Sequence, residues 1–245
     1  MSHAQIEIHT ADGTCPAHVF TPVAAGPWPA VLMYMDGIGI RPALFAMAER
    51  LANAGYWTLL PDLFYRQGPY TPPDPKRMFA EPEVRADWVK RYISTVTVEG
   101  VMRDTSAFLE YIARREDVRQ PRIGTVGYCM SGRFSLAAAS RFPERVAAAA
   151  SYHGSNLAND AADSPHRMAP AILARVYVGG AIEDPSFPEE QKLRLAEALR
   201  EAGVVHTIET YPAKHGWVPA DTPTHDAAAA ERHWETLFKL FGDNL

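Results

Sequence analysis

Two rhythms of apolar and polar positions run along this chain. Short unbroken apolar runs, Pro29 to Met35 (PAVLMYM) and Tyr56 to Leu60, predict strands covered on both faces. Longer stretches repeat apolar residues at helical spacing, as in Val98 to Arg115, where Val101, Phe108, Leu109 and Ile112 share one face. Ile6, Ile8 and His18 to Phe20 flank an Asp12-Gly13 turn and predict an antiparallel hairpin at the sheet edge. Pro42 in a first turn and a closing Gly55 bound a helix over about Pro42 to Ala54. Further strands are expected at Ile123 to Tyr128, Val146 to Tyr152, Ile172 to Val178 and Val204 to Tyr211. Further helices are expected at Glu83 to Thr95, Phe187 to Ala202 (ended by Gly203) and Thr224 to Phe241.

Strands alternating with helices, most of them apolar on both faces, imply an α/β architecture with a doubly wound, mostly parallel sheet flanked by helices. No internal repeat, low-complexity linker or composition break divides the chain, so residues 1–245 read as a single domain. One stretch breaks the alternation. Pro61 to Pro82 is rich in proline (Pro61, Pro69, Pro72, Pro73, Pro75, Pro82) and lacks periodicity, so it reads as a long loop, and long loops in compact domains are usually functional.

Composition narrows the partners. A formal net charge of −5 and the lack of a Lys/Arg cluster argue against nucleic acid. The N-terminus MSHAQIEIHTADG has no apolar core of a leader, and no apolar run approaches membrane-spanning length, so a cytoplasmic protein without membrane attachment is expected. The two cysteines, Cys15 and Cys129, lie on different predicted elements, which argues against a disulfide framework. A reducing compartment would keep both as thiols.

The candidate chemistry centres on Ile123 to Ala139, IGTVGYCMSGRFSLAAA. A β-branched strand meets a small-residue helix beginning at Met130, with Cys129 at the apex of the turn between them. Gly127 stands two positions before it, and Ser131 and Gly132 two and three after. Such a turn strains the nucleophile's backbone and leaves no room for bulky neighbours, which is why small residues flank it. A lone cysteine after a strand is ordinarily a small buried hydrophobe; the flanking pattern is what singles out Cys129. Ser131 is excluded as the nucleophile because Arg133 would then occupy a position that requires a small residue.

In an open α/β sheet, functional groups gather at the carboxyl ends of strands. After Val178 comes Gly179-Gly180-Ala181-Ile182-Glu183-Asp184-Pro185, and after Tyr211 comes Pro212-Ala213-Lys214-His215-Gly216-Trp217. The order nucleophile, acid, histidine is that of α/β-hydrolases. His215 would pair with the sulfur, and Asp184, favoured over the adjacent Glu183, would orient the imidazole. A loop histidine capping the final helix is the bland reading of His215. His9 and His18 fall in the hairpin, His206 begins a strand, and His225 and His233 fall on the last helix. His153 follows a strand and is a candidate either for pocket lining or for a hydrogen-bonded core role.

Over nearly its whole length the chain resembles the dienelactone hydrolase family of α/β-hydrolases. The resemblance lies in the GYCMSG elbow, the GYWTLLPDL approach and PDLFYRQGPYTP segment, the acid loop GGAIEDPSFP and the histidine loop YPAKHGW. It implies an α/β-hydrolase fold and a Cys129-His215-Asp184 triad. It also implies no metal or other cofactor, and hydrolysis of a small-molecule lactone or ester through an acyl-thioester. It further implies an oxyanion hole from the backbone amides of Gly37 and Met130, and a monomer or weak homodimer.

The sequence departs from the family at three places. Where the family carries a glutamate that holds the resting thiol, Asp36 stands here, one methylene shorter. Its expected roles are contact with the sulfur, with substrate or with Arg66, or a cap on the following helix. Ser131 replaces the first of the elbow's paired glycines, and Pro219 stands where some members present an arginine to a substrate carboxylate. Arg66 and Arg85 are the candidate replacements. Two alternatives to a small-lactone hydrolase follow: a non-catalytic or redox-sensing scaffold built on Cys129, and an esterase or thioesterase for a larger substrate with Pro61 to Pro82 as its lid.

Overall fold

The computed structural model describes residues 1–119 and 121–245. Eight strands form one sheet: β1 (Ser2–Thr10), β2 (Gly13–Thr21), β3 (Ala30–Tyr34), β4 (Trp57–Pro61), β5 (Ile123–Tyr128), β6 (Val146–Tyr152), β7 (Arg175–Ala181) and β8 (His206–Tyr211), in the spatial order β1-β2-β4-β3-β5-β6-β7-β8. The β1–β2 hairpin lies at the edge and pairs antiparallel, as does β2 with β4; every pair from β4 through β8 is parallel. β3, β4, β5 and β6 are buried along their whole length, which explains their unbroken apolar runs.

Seven helices accompany the sheet among the described residues: α1 (Pro42–Asn53), α2 (Pro75–Ala80), α3 (Pro82–Arg91), α4 (Val98–Ala113), α5 (Gly132–Arg141), α6 (Glu189–Glu201) and α7 (Ala227–Gly242). Neighbouring residues of β5 show how they divide. A Cβ on Gly124 would lie 2.7 Å from the Phe241 ring of α7, whereas the next residue, Thr125, hydrogen-bonds Ser135 of α5 at 2.9 Å. Because successive strand residues point to opposite faces, α7 and α5 cover opposite sides of the sheet. Helix starts follow local chemistry: the side chains of Thr97 and Asp226 accept hydrogen bonds from the Gly100 and Ala229 amides at the heads of α4 and α7.

The Pro61–Pro82 stretch is not a featureless loop. It carries a 3-10 turn at Tyr65–Gln67 and all of α2, with α3 starting at Pro82, because Pro75 and Pro82 sit in first helical turns, where proline is favourable. The expected helix from Glu83 to Thr95 ends at Arg91 and passes into a 3-10 turn, Ile93–Thr95. The strand expected at Ile172 is β7, which starts at Arg175 after a 3-10 segment, Pro165–Ala171, and runs on to Ala181. The last helix starts at Ala227, leaving His225 in the loop before it.

Candidate active site

Parallel strands end on one edge, so the loops after β3, β5, β6, β7 and β8 converge there, and with them the candidate side chains. One cavity of about 920 Å³ is lined by Asp36 and Gly37, Cys129 and Met130, His153, Asp184 and His215.

The elbow has the geometry its sequence requires. Cys129 adopts a left-handed backbone (φ 56°), and the chain turns through a 3-10 segment, Cys129–Ser131, before α5 begins. A Cβ on Gly127 would lie 2.1 Å from the Ser131 carbonyl oxygen, and one on Gly132 would lie 2.7 Å from Cα of Gly154. Real Cβ atoms do not tolerate either approach. Ser131 fits and also fastens the turn: its hydroxyl accepts from the Tyr128 amide (2.9 Å) and donates to the Tyr34 carbonyl at the end of β3 (3.1 Å).

His215 and Asp184 meet across the loops after β8 and β7. An ionised carboxylate only accepts, so His215 Nδ1 donates to Asp184 Oδ2, at 2.7 Å. Asp184 Oδ1 accepts from the Ser186 hydroxyl (2.6 Å) and amide (2.9 Å). Burial works to raise the Asp184 pKa, but His215 and Ser186 outweigh it and hold the carboxyl below its ordinary value. For His215, burial opposes the charge, yet attraction and hydrogen bonding to the Cys129 sulfur and to Asp184 push the imidazole up to about 10. Glu183, adjacent in sequence, is exposed and takes no part in this pair.

His153 is fully buried and also left-handed (φ 39°). Its Nδ1 accepts the Cys129 backbone N–H at 3.1 Å, and its ring meets those of His215 and Trp217 edge-on, with centroids 5.2 and 5.0 Å away. Burial, then the neighbouring His215 and His233, hold it well below the ordinary histidine value, so it stays neutral. It is both a core residue and part of the cavity wall. The Gly37 carbonyl accepts from Trp88 Nε1 (2.8 Å), while the Gly37 N–H makes no hydrogen bond among the described residues. The Met130 amide lies in the first turn of its segment, where an N–H has no helical partner.

Two expectations for the charged residues are corrected. Asp36 makes no hydrogen bond to the Cys129 sulfur among the described residues and caps no helix. Its two oxygens take Arg41 Nη1 and Nη2 at 2.7 and 2.9 Å, and Oδ1 also accepts the Ile38 amide at 2.9 Å. Arg41 reaches on to Asp221, six residues after His215, through Nε at 2.7 Å and Nη2 at 3.1 Å. Arg66 neither lines the cavity nor meets Asp36; its guanidinium binds Asp12 (2.8 Å) and Asp104 (2.7 Å), because the Asp104 carboxylate, 1% exposed, needs a cationic partner. Arg85 does line the cavity, from an exposed position on α3.

Sequence reasoning missed Arg41, Asp221, Ser186 and Arg133 as members of this neighbourhood. Arg133 lines the cavity, donates through Nη2 to the Val96 carbonyl (3.1 Å), and forms no ion pair among the described residues. Ser186 was signalled by its place two residues after an aspartate in a turn. Nothing local marks Arg41 as the partner of an acid 180 positions away. Both cysteines are free, and Cys15 is buried with its thiol against the Pro16 and Asp62 carbonyls at 3.4 Å. Among the described residues there is no cluster of three or more side chains arranged to hold a metal ion, and no helix is long and apolar enough to cross a membrane.

This strand order, with an elbow cysteine after β5 and an acid and histidine after β7 and β8, defines an enzyme of the α/β-hydrolase fold. The dienelactone hydrolase family profile matches residues 15–245, and the chain belongs to that family, which makes it a hydrolase of the lactone and ester class. A Synechocystis relative with the provisional name carboxymethylenebutenolidase is 28% identical over 233 residues, covering 91% of this chain and 89% of its own. The carboxymethylenebutenolidase of Pseudomonas putida is 26% identical over 227 residues, covering 92% and 90%. A crystal structure from Klebsiella pneumoniae, provisionally named a dienelactone hydrolase, superposes with a TM-score of 0.86 at 23% identity, covering 98% of each chain, a likeness of fold.

Proposed function

We propose that the chain hydrolyses a small-molecule lactone or ester, of the kind its carboxymethylenebutenolidase relatives are named for, with Cys129 as nucleophile, His215 as acid and base, and Asp184 as orienter. The observation that carries this reading is the His215–Asp184 hydrogen bond of 2.7 Å beside an elbow cysteine, with the imidazole pushed up to about 10. An imidazole that keeps its proton at neutral pH is ready to protonate a leaving group.

The sulfur anion adds to the carbonyl carbon, and the electron pair moves to the carbonyl oxygen. The Gly37 and Met130 amides stabilise that oxyanion, each donor being worth about 3 kcal/mol. Collapse expels the alkoxide or enolate, which takes the His215 proton, and leaves an acyl-thioester. Neutral His215 then removes a proton from water as it attacks the thioester, and the second collapse returns the acid and the sulfur anion. Asp184 keeps Nδ1 protonated throughout, so Nε2 faces the sulfur and the leaving group.

Cys129→Ala is expected to abolish turnover of p-nitrophenyl acetate and of an enol lactone, and Cys129→Ser to lose most of it. Mass spectrometry of the quenched wild-type enzyme should find one acyl group on Cys129. Near-normal turnover by Cys129→Ala would overturn the assignment.

A further inference from the structure

We propose that this cavity selects lactones or esters bearing a large apolar substituent, and that Phe79, Val89, Ile93 and Ile182 form the wall that receives it. The proposal rests on the hydrolase reading above and names the substrate class of that same site.

At about 920 Å³ the cavity is near the top of the range of roughly 300–1,000 Å³ that encloses drug-sized ligands, well beyond the needs of an unsubstituted lactone ring. Eight large hydrophobic side chains are exposed among the described residues; Phe79 (44%), Val89 (36%) and Ile182 (43%) all line this one cavity, whereas the other five lie outside its lining. Scattered exposed hydrophobics need no explanation, but convergence on a catalytic cavity does.

The wall also touches both sides of the reacting centre. A Cβ placed on Gly37 would lie 3.0 Å from Ile93 Cδ1 and 3.9 Å from the Cys129 sulfur. A Cβ placed on Gly216, the residue after His215, would lie 3.2 Å from Phe79 Cζ. So one apolar side chain stands against the oxyanion turn and another against the histidine loop. Met78, Phe79, Val89 and Ile93 come from one stretch of chain, α2 through the 3-10 turn Ile93–Thr95, and Ile182 closes the rim from the acid loop. A group extending from the ester carbon on this side meets Ile93, Val89, Phe79 and Ile182, with Arg85 and Ser94 of the same stretch also in the lining. An apolar arm of the substrate is therefore the occupant, since the surface is the inner wall of the reaction chamber.

The test is a chain-length series with two readouts. For wild type, kcat/KM should rise from p-nitrophenyl acetate to butyrate to octanoate, by up to about fourfold per methylene, the ratio expected for burying each group. Phe79→Ser and Val89→Ser should each flatten the series, lowering octanoate turnover at least about tenfold more than acetate turnover. Leu173→Ser, an exposed hydrophobic outside the cavity, should leave the series unchanged. Binding of 2-decanone and 2-butanone to Cys129→Ala, followed by calorimetry, separates this proposal from the nucleophile assignment. The longer ketone should bind at least about 30-fold more tightly, and Phe79→Ser in that background should erase most of the difference. That measurement stands even if turnover proves independent of Cys129. A series that falls with chain length, equal losses on acetate and octanoate, or ketones bound alike would overturn the proposal.

Discussion

Removing Arg41 isolates a buried charge, and the consequence can be worked from the structure. The guanidinium is 5% exposed and makes five hydrogen bonds, two to Asp36, two to Asp221 and one to the Gly39 carbonyl at 3.1 Å. Arg41→Met preserves much of the volume but leaves Asp36, 3% exposed, charged and without its partner. Breaking a buried pair from one side costs about 3–5 kcal/mol. Asp221, whose side chain is 33% exposed, adds less, about 1 kcal/mol at most. With about 2–4 °C lost per kcal/mol for a chain of this size, the midpoint of thermal unfolding should fall by roughly 6–24 °C. The double variant Asp36→Leu/Arg41→Met should recover most of that loss, because both charges leave together; the coupling should be about 3 kcal/mol by denaturant unfolding. Since Asp36 and Arg41 brace the turn carrying Gly37 against the loop carrying His215, the single variant should also lose at least about tenfold in kcat/KM at a temperature where it stays folded. The reasoning is refuted if Arg41→Met costs under about 1 kcal/mol, or if the double variant is as unstable as the sum of the two singles.

Three further expectations follow from the same geometry. Asp184→Asn should lower kcat for p-nitrophenyl acetate by about 10³–10⁴-fold and move the alkaline limb of the pH profile, set by His215 near 10, to lower pH, since Asp184 helps that imidazole keep its proton; an unmoved limb would contradict this. His233 is wholly buried and held down to about 3, mainly by burial, while the unfolded chain protonates it near 6.5. Between those values the unfolded state binds the extra proton, so stability falls as pH falls, by about 2 kcal/mol from pH 7 to pH 5, and denaturant unfolding of His233→Leu at both pH values should show a smaller drop. Gly127→Ala puts a methyl 2.1 Å from the Ser131 carbonyl oxygen, backbone against backbone, so it should cost about 3 kcal/mol and most of the turnover; a variant melting like wild type with full activity would show that the elbow can yield.

The site was legible where its logic is local. Small residues around Cys129 follow from collisions within a few positions of the chain, and the order Cys129, Asp184, His215 follows from which strands end in chemistry. Asp184 over Glu183 was a preference in the sequence and is a hydrogen bond of 2.7 Å in the structure. The pairing of charges was not legible. Arg66 looked available to the cavity, yet Asp104, buried on α4, takes it first. Asp36 looked like a neighbour for the sulfur, yet Arg41, five residues further along, holds both its oxygens.

By itself the sequence determined the alternation of strands and helices, the parallel sheet with its edge hairpin, and the strained turn that presents a thiol, because periodicity and backbone sterics act over a few residues. Only the tertiary structure decided which acid meets which base, that α2 and α3 rather than a bare loop wall the cavity, and that an Asp36–Arg41–Asp221 bridge, buried at Asp36 and Arg41, spans 185 positions from end to end. Ion pairs and cavities are settled by which distant side chains are left facing one another once the apolar faces have packed, and no local pattern records that outcome.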